Sequence, residues 1–370
     1  MKVAYFIGSL NRGGAETLVL DTFRKKESLT YEPILIYRND GDLSEAYRAT
    51  GVPMFRIKPN RFKLGYIRSI LRLLKQERVD ILHTQTHLNA FLGIFCTCLS
   101  KTKLVITFHG FTLGFMDRMY AQLSVWNSES TIFVSEYLRD WYLKRLLFVP
   151  KKRCQVVYNG IDFSKFDRQY DAPDFFGKDN TIKPGVVKMA MVGNFVGVRS
   201  QIVPCRALKQ LKDKDVDFRF YFIGKKSDAE PELYDNCVNY CRENGLLNVS
   251  VFFLGGRGDV PAILQYVDAF VYSSNRDTFG IAVIEAIASG LPTLVNDWIV
   301  MKEVTDNGKM ASLFKTLDVE DCANKMEDLV NNIEKRKESA KTLAGVARSK
   351  FSIENHIQNL CDIYKSIMES

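Results

Sequence analysis

Short apolar runs alternate with longer amphipathic stretches through both halves of the chain, and this alternation predicts parallel sheets covered by helices. In the first half the pattern places strands at Val3–Ile7, Ile34–Tyr37, Met54–Ile57, Asp80–His83, Leu104–Phe108, Thr131–Val134 and Val156–Tyr158. In the second half it places them at Val186–Val192, Phe218–Ile223, Val251–Leu254, Ala269–Tyr272 and Pro292–Val295. A polar segment from Phe163 to Gly185, with Pro173 and Pro184, breaks the rhythm where two sheets would join. Beyond Val319 the pattern is helical. Its last run, Ile353 to Met368, repeats Ile357, Leu360, Ile363, Tyr364 and Ile367 at three- and four-residue spacing, a stripe that needs a partner. The chain has no short-period repeat and no low-complexity tract, so solenoid and disordered-scaffold readings are set aside.

With 370 residues, 46% of them apolar, the chain exceeds one ordinary core and can fill two. No stretch approaches the roughly 20 uninterrupted apolar residues of a membrane span, and Met1–Ile7 reads as the first strand of an intracellular protein. The eight cysteines are dispersed; Cys96/Cys98 and Cys237/Cys241 lack a second pair at zinc spacing, so reduced thiols are expected. The net charge of +8 is concentrated: residues 1–175 carry 26 Lys and Arg against 17 Asp and Glu. Such a field suits nucleic acid, an anionic membrane or a phosphorylated acceptor. Nucleic acid is disfavoured because the basic residues lack an aromatic-interleaved binding module. Residues 61–78 combine six basic residues and one acid with a leucine/isoleucine stripe, and Trp141 to Lys152 adds a second apolar and basic stretch. Either the stripe is buried in its own sheet or it touches anionic lipid.

Four segments are placed to carry chemistry. Gly8 to Thr17, with Gly13 and Gly14, follows the first strand and opens a helix, where free N–H groups favour an anion; it lacks the Gly-x-Gly-x-x-Gly spacing of nicotinamide sites, and a ligand-free tight turn is the alternative. His109 stands at the carboxyl end of a strand, where open sheets bind ligands, though a satisfied core histidine would also fit. His83 and His87 lack the glutamate and third ligand of a zinc site. The loop Gly193-Asn194-Phe195-Val196-Gly197-Val198-Arg199 leaves a strand and precedes a helix, so Arg199 would reach an anion there; a surface arginine beside a turn is the alternative. Most specific is Asp277-Thr278-Phe279-Gly280, followed by a helix that carries Glu285 eight positions after the first acid. Two carboxylates flanking a helix start would hold ligand hydroxyls while backbone N–H groups meet a phosphate. Asp213, Asp215 and Asp217 alternate with other residues before a strand and read as a solvated turn rather than a metal site.

Together, Gly13-Gly14-Ala15-Glu16, Thr107-Phe108-His109-Gly110, Val157-Tyr158-Asn159-Gly160-Ile161-Asp162 and Asp277 through Pro292 resemble the large family of retaining glycosyltransferases with the type B (GT-B) fold, which includes bacterial capsule, lipopolysaccharide and mannosyl enzymes. The family pattern is Glu, seven residues, Glu, with Phe-Gly after the first acid and Gly-x-Pro after the second. Here Asp277 replaces the first Glu, Asn194 stands where Arg is usual, and Arg199 where Lys is usual. The resemblance implies two Rossmann-like domains facing a central cleft. It assigns residues 1–170 plus the returning helix 353–370 to an acceptor domain, and 171–352 to a donor domain. It further implies a nucleoside diphosphate sugar donor, UDP- or GDP-linked, with no other cofactor and no metal. Arg199 would hold the phosphates, with Asn194 in the same loop and Phe279 and Gly280 at the helix start; Glu285 would hold the ribose and Asp277 the sugar hydroxyls. His109, Gly13 and Gly14 would approach the donor from the first domain. The expected acceptor is a glycan or a polyprenyl-diphosphate-linked glycan, met by a cytoplasmic enzyme peripheral to the inner face of the membrane. A nucleotide-sugar epimerase of the same fold and a non-catalytic sugar-nucleotide-binding protein are the competing readings.

Overall fold

The structure is a computed structural model and describes residues 1–58, 63–174 and 185–369. In chain order the first elements are β1 Lys2–Phe6, α1 Gly14–Arg24, β2 Glu32–Tyr37, α2 Ser44–Ala49, β3 Met54–Arg56, α3 Lys63–Gln76, β4 Ile81–Thr84, α4 His87–Thr97, β5 Lys103–Phe108, α5 Phe115–Asn127, β6 Ser130–Phe133, α6 Glu136–Leu143 and β7 Cys154–Val156. There follow β8 Val187–Val192, α7 Ile202–Asp213, β9 Phe218–Ile223, α8 Pro231–Glu243, β10 Val251–Phe253, α9 Val260–Tyr266, β11 Ala269–Tyr272, α10 Ile281–Ala288, β12 Thr293–Asn296, α11 Ile299–Val304, β13 Ser312–Phe314, α12 Val319–Asn331, α13 Ile333–Phe351 and α14 Ile353–Glu369. The chain divides into two compact units, Met1–Asp162 with Phe351–Ser370, and Phe163–Lys350.

Each unit is a parallel sheet of Rossmann type, as the alternation of strands and helices predicts. The first has the order β3-β2-β1-β4-β5-β6-β7 and the second β10-β9-β8-β11-β12-β13. Two details differ from the pattern reading. β7 pairs Cys154 to Val156 with Thr131 to Phe133, so the strand lies earlier than Val156–Tyr158. The three-residue edge strand β13 is too short to leave an alternation in the sequence. In both sheets the connection reverses direction beside the first strand, between β1 and β4 and between β8 and β11, the place where loops diverge and open a crevice at the carboxyl edge.

The pleat of β1 sorts the core of the first unit. Val3 and Tyr5 face one layer with α1 and α14, while Ala4 and Phe6 face the other with Tyr66, Ile70, Leu73 and Leu74 of α3. The stripe of α3 is therefore core, and Arg68, Arg72 and Lys75 form its exposed face; Arg61 and Phe62 lie outside the described residues. In α14, Ile357, Leu360, Ile363, Tyr364 and Ile367 are all buried against the first sheet. Each such side chain contributes about 1.5–3 kcal/mol, which holds a helix far along the chain to the first unit.

Inside that layer the polar groups are satisfied by one another. Tyr5 and Tyr31 share a hydroxyl contact of 2.6 Å, Tyr364 donates to Tyr5 at 3.2 Å, and His83 joins Tyr364 through Nδ1 at 2.5 Å and Thr107 through Nε2 at 2.7 Å. Burial pushes the His83 imidazole from its ordinary 6.5 down to about 3, and that of His356 to about 4. The unfolded chain binds these protons near pH 6.5 and the folded unit does not, so stability is full above pH 6.5 and falls as the pH drops toward 3. At pH 5 the loss from His83 alone should be about 2 kcal/mol. Denaturant unfolding between pH 7.5 and 5 checks this; His83→Gln should flatten the slope.

Candidate active site

In the second unit the crevice beside β8 and β11 collects the residues that the sequence singles out on two separate loops. Arg199, after β8, donates from Nε to the Tyr272 hydroxyl at 2.9 Å, and Tyr272, the last residue of β11, donates its own proton to Asp277 Oδ2. The Arg199 Nη2 to Asp277 Oδ2 separation is 4.0 Å, with both side chains largely buried. The Tyr272 oxygen and the Asp277 carboxylate hold the Arg199 guanidinium firmly charged, and burial raises the Tyr272 phenol so that it stays a proton donor. With Nε committed, the Nη groups remain as donors beside the first turn of α7, where an open depression is lined by Arg199, Gln201, Arg206, Asn236 and Tyr240. Room for the guanidinium comes from Gly193, where a Cβ would lie 2.5 Å from Arg199 Nε.

The loop from β11 to α10 is held rigidly. Asp277 N–H donates to Ser274 Oγ at 3.1 Å, Trp298 Nε1 donates to the Asp277 carbonyl at 3.1 Å, and Asn296 spans the Ser274 backbone from both ends of its amide. Gly280 then turns the chain into α10 with φ 82°, a left-handed conformation that a side chain would strain. Phe279 is buried at this turn. The first N–H groups of α10 have no carbonyl one turn back to bond and carry the positive end of the helix dipole. Glu285 lies one turn further along α10 and is half-buried among Ile284, Ala286 and Ile287. Asn194 is exposed; its Oδ1 accepts from Lys225 N–H at 2.9 Å, tying the β8 loop to the β9 loop.

In the first unit His109 follows β5 and its Nε2 meets Gln85 Oε1 at 2.8 Å, so the proton sits on Nε2 and the acceptor lone pair on Nδ1. Burial of the ring, with His356 nearby, pushes its pKa down to about 3 although one edge is accessible, so the imidazole is neutral at physiological pH. Gly13 caps α1 and Gly14 is its first residue. The Glu16 carboxylate folds back over that start, 2.4 Å from where a Gly13 Cβ would be, and burial raises its pKa. His87 instead pairs with Asp117 at 3.2 Å, away from His83. Among the described residues no three His, Cys, Asp or Glu side chains cluster as a metal site, and Asp213 pairs with Lys209.

Sequence profiles match almost the whole chain in two pieces: Glycosyltransferase Family 4 over residues 12–165 and Glycosyl transferases group 1 over residues 174–343. The chain is a glycosyltransferase of the GT-B fold. This glycosyltransferase is 24% identical over 371 residues to the Escherichia coli UDP-Gal:alpha-D-GlcNAc-diphosphoundecaprenol alpha-1,3-galactosyltransferase, covering 95% of this chain and 93% of the relative. Its fold matches a glycosyltransferase from Rickettsia africae with a TM-score of 0.87 at 18% identity, over 100% of this chain and 99% of the other. It matches Anabaena HepE in complex with UDP-glucose with a TM-score of 0.85 at 17% identity, over 99% and 100%. Two residues that partner the candidate site residues are silent in the sequence. Tyr272 reads as an ordinary strand aromatic, and Gln85 sits on a loop after β4; only the pairing of β8 with β11 and of β4 with β5 brings them to Arg199 and His109.

Proposed function

We propose that this glycosyltransferase moves a hexosyl group from a nucleoside diphosphate sugar to a glycan or polyprenyl-diphosphate-linked acceptor, with retention of configuration and without a metal. The observation that carries the reading is the Arg199–Tyr272–Asp277 cluster at the reversal of the second sheet, beside the starts of α7 and α10. Breaking the bond between the sugar C1 and the phosphate oxygen leaves its electron pair on the diphosphate. A fixed guanidinium and helix N–H groups stabilise that charge without a cation. The acceptor hydroxyl attacks C1 from the same face and its proton passes to the departing diphosphate, so no protein nucleophile is needed. In this scheme Asp277 holds sugar hydroxyls and Glu285 the ribose; roles for the neutral His109 and for Gly13 and Gly14 toward the donor are proposed on the sequence resemblance.

The donor and acceptor named for the Escherichia coli relative, and the UDP-glucose in Anabaena HepE, support a uridine nucleotide and a lipid-diphosphate acceptor as first substrates to try. Among the described residues no helix is long and apolar enough to cross a membrane; work at the inner membrane face would then be peripheral. The test is a calorimetric screen of UDP- and GDP-sugars followed by transfer assays with and without acceptor, in EDTA. Expected are donor binding weakened about tenfold or more by Glu285→Gln, and free nucleoside diphosphate formed only with acceptor. Nucleotide release or sugar inversion in the absence of acceptor would favour an epimerase, and binding without turnover a sensor. Loss of transfer in EDTA restored by magnesium would remove the metal-free scheme.

A further inference from the structure

The sequence offers two apolar and basic stretches for a membrane contact, residues 61–78 and 141–152, with burial in the sheet as the alternative for the first, and the stripe of α3 is indeed core. The exposed apolar surface of the first unit lies elsewhere. On α5, Phe115, Met119 and Trp126 recur on one helix face and are all exposed. Gln122, on the same face, and Trp126 fasten the tip of the 144–150 loop: Gln122 Nε2 and Trp126 Nε1 both donate to the Leu147 carbonyl, at 2.9 and 3.0 Å, and Leu147 N–H donates to Gln122 Oε1 at 2.7 Å. The tip so held presents Leu147 at 64% exposure and Phe148 at 90%, with Phe148 turned outward on a left-handed backbone of φ 47°. Five residues before α5, on its entry loop, Gly110 follows His109, and Leu113 is 68% exposed on the same loop. The apolar ridge thus runs from the His109 loop to the Phe148 tip.

Cations frame this ridge. Lys144, Arg145, Lys151 and Lys152 flank the tip and are exposed, and among the described residues no carboxylate lies within ion-pair distance of any of them. Arg145 lies over the Trp141 ring with its Cζ 4.3 Å from the centroid. The nearby acids are engaged already: Asp117 with His87, Glu129 with Arg153, and Glu136 and Asp140 with Arg139. A protruding apolar tip ringed by unpaired positive charge matches an anionic lipid surface, where rings enter the headgroup boundary and ammonium groups meet phosphates. A protein groove would instead ask for a recessed site on the partner and acidic partners for four cations.

We propose that the α5 face and the Leu147–Phe148 tip seat the first unit on an anionic membrane surface, with the His109 loop held at the level of a lipid-linked acceptor's headgroup. The acceptor part rests on the functional reading above; the seating itself does not. The experiment is co-sedimentation of the full chain, without nucleotide, with vesicles of phosphatidylethanolamine and phosphatidylglycerol or of phosphatidylcholine alone, at low and high salt. Wild type should sediment with the anionic vesicles, and less so in high salt. Leu147→Ser with Phe148→Asn should lower the bound fraction about tenfold while keeping the melting temperature, Asn being tolerant of the left-handed backbone. Neutralising Arg68, Arg72 and Lys75 of α3 should cost far less. Equal binding by the tip variant, loss confined to the α3 variant, no preference for anionic lipid, or a tip-dependent dimer in sedimentation velocity would each overturn the proposal. Vesicle binding without donor binding would sink the functional reading alone, and donor-dependent transfer without vesicle binding would sink this one alone.

Discussion

Replacing Arg199 with alanine should lower kcat/KM for sugar transfer by about 10²–10³-fold, the usual effect of removing one preorganised donor from developing oxyanion charge. The geometry makes the loss larger than for a surface arginine. The guanidinium is oriented before any ligand arrives, because its Nε is spent on Tyr272 and the facing Asp277 carboxylate keeps it charged. Its Nη groups therefore pay no further ordering cost on meeting a phosphate. Arg199→Lys keeps the charge but loses the Nε bond to Tyr272, so it should recover part of the rate and leave a weaker grip on the free nucleoside diphosphate. Initial rates and calorimetry of the two variants separate the contributions. If Arg199→Ala bound and turned over donor as wild type does, the cluster would be a structural ion pair and the phosphate site would lie elsewhere.

The second large effect is expected at His109. His109→Ala should reduce kcat by about 100-fold or more while costing only about 1–2 kcal/mol of stability, the penalty of leaving the buried Gln85 amide short of a partner. With its pKa pushed down to about 3 by burial, the ring is neutral through the working range and would take part as a hydrogen-bonding group, not as a titrating acid. The kcat profile should therefore show no His109 ionisation above about pH 4. Gln85→Glu, which keeps the acceptor but adds charge, should raise the His109 pKa and bring an ionisation into the profile. Kinetics beside thermal unfolding decide the matter: equal loss of turnover and stability in His109→Ala would make this a core histidine.

Much of this protein was legible before any fold. The alternation of apolar runs and amphipathic stretches predicted two parallel sheets because strands buried on both faces must be continuously apolar and their crossovers must carry one apolar stripe. Asp277, Phe279, Gly280 and Glu285 were legible for the same local reason: a left-handed glycine opening a helix, flanked by carboxylates, is short-range chemistry written within a few residues. The basic character of the first half was a count. What periodicity could not tell was which of two similar stripes would be covered. The stripe of α3 and the face of α5 are both apolar on one side, but α3 packs on the sheet through Tyr66, Ile70 and Leu74 while Phe115, Met119 and Trp126 stay outside. That outcome depends on which helix crosses which strands, a property of the whole sheet. The partners Tyr272 and Gln85 were hidden for a related reason. Each is separated in sequence from the residue it orients, by 73 positions for Arg199 and 24 for His109, and only strand pairing, of β8 with β11 across the reversal of the second sheet and of β4 with β5 within the first, brings such pairs within hydrogen-bonding distance.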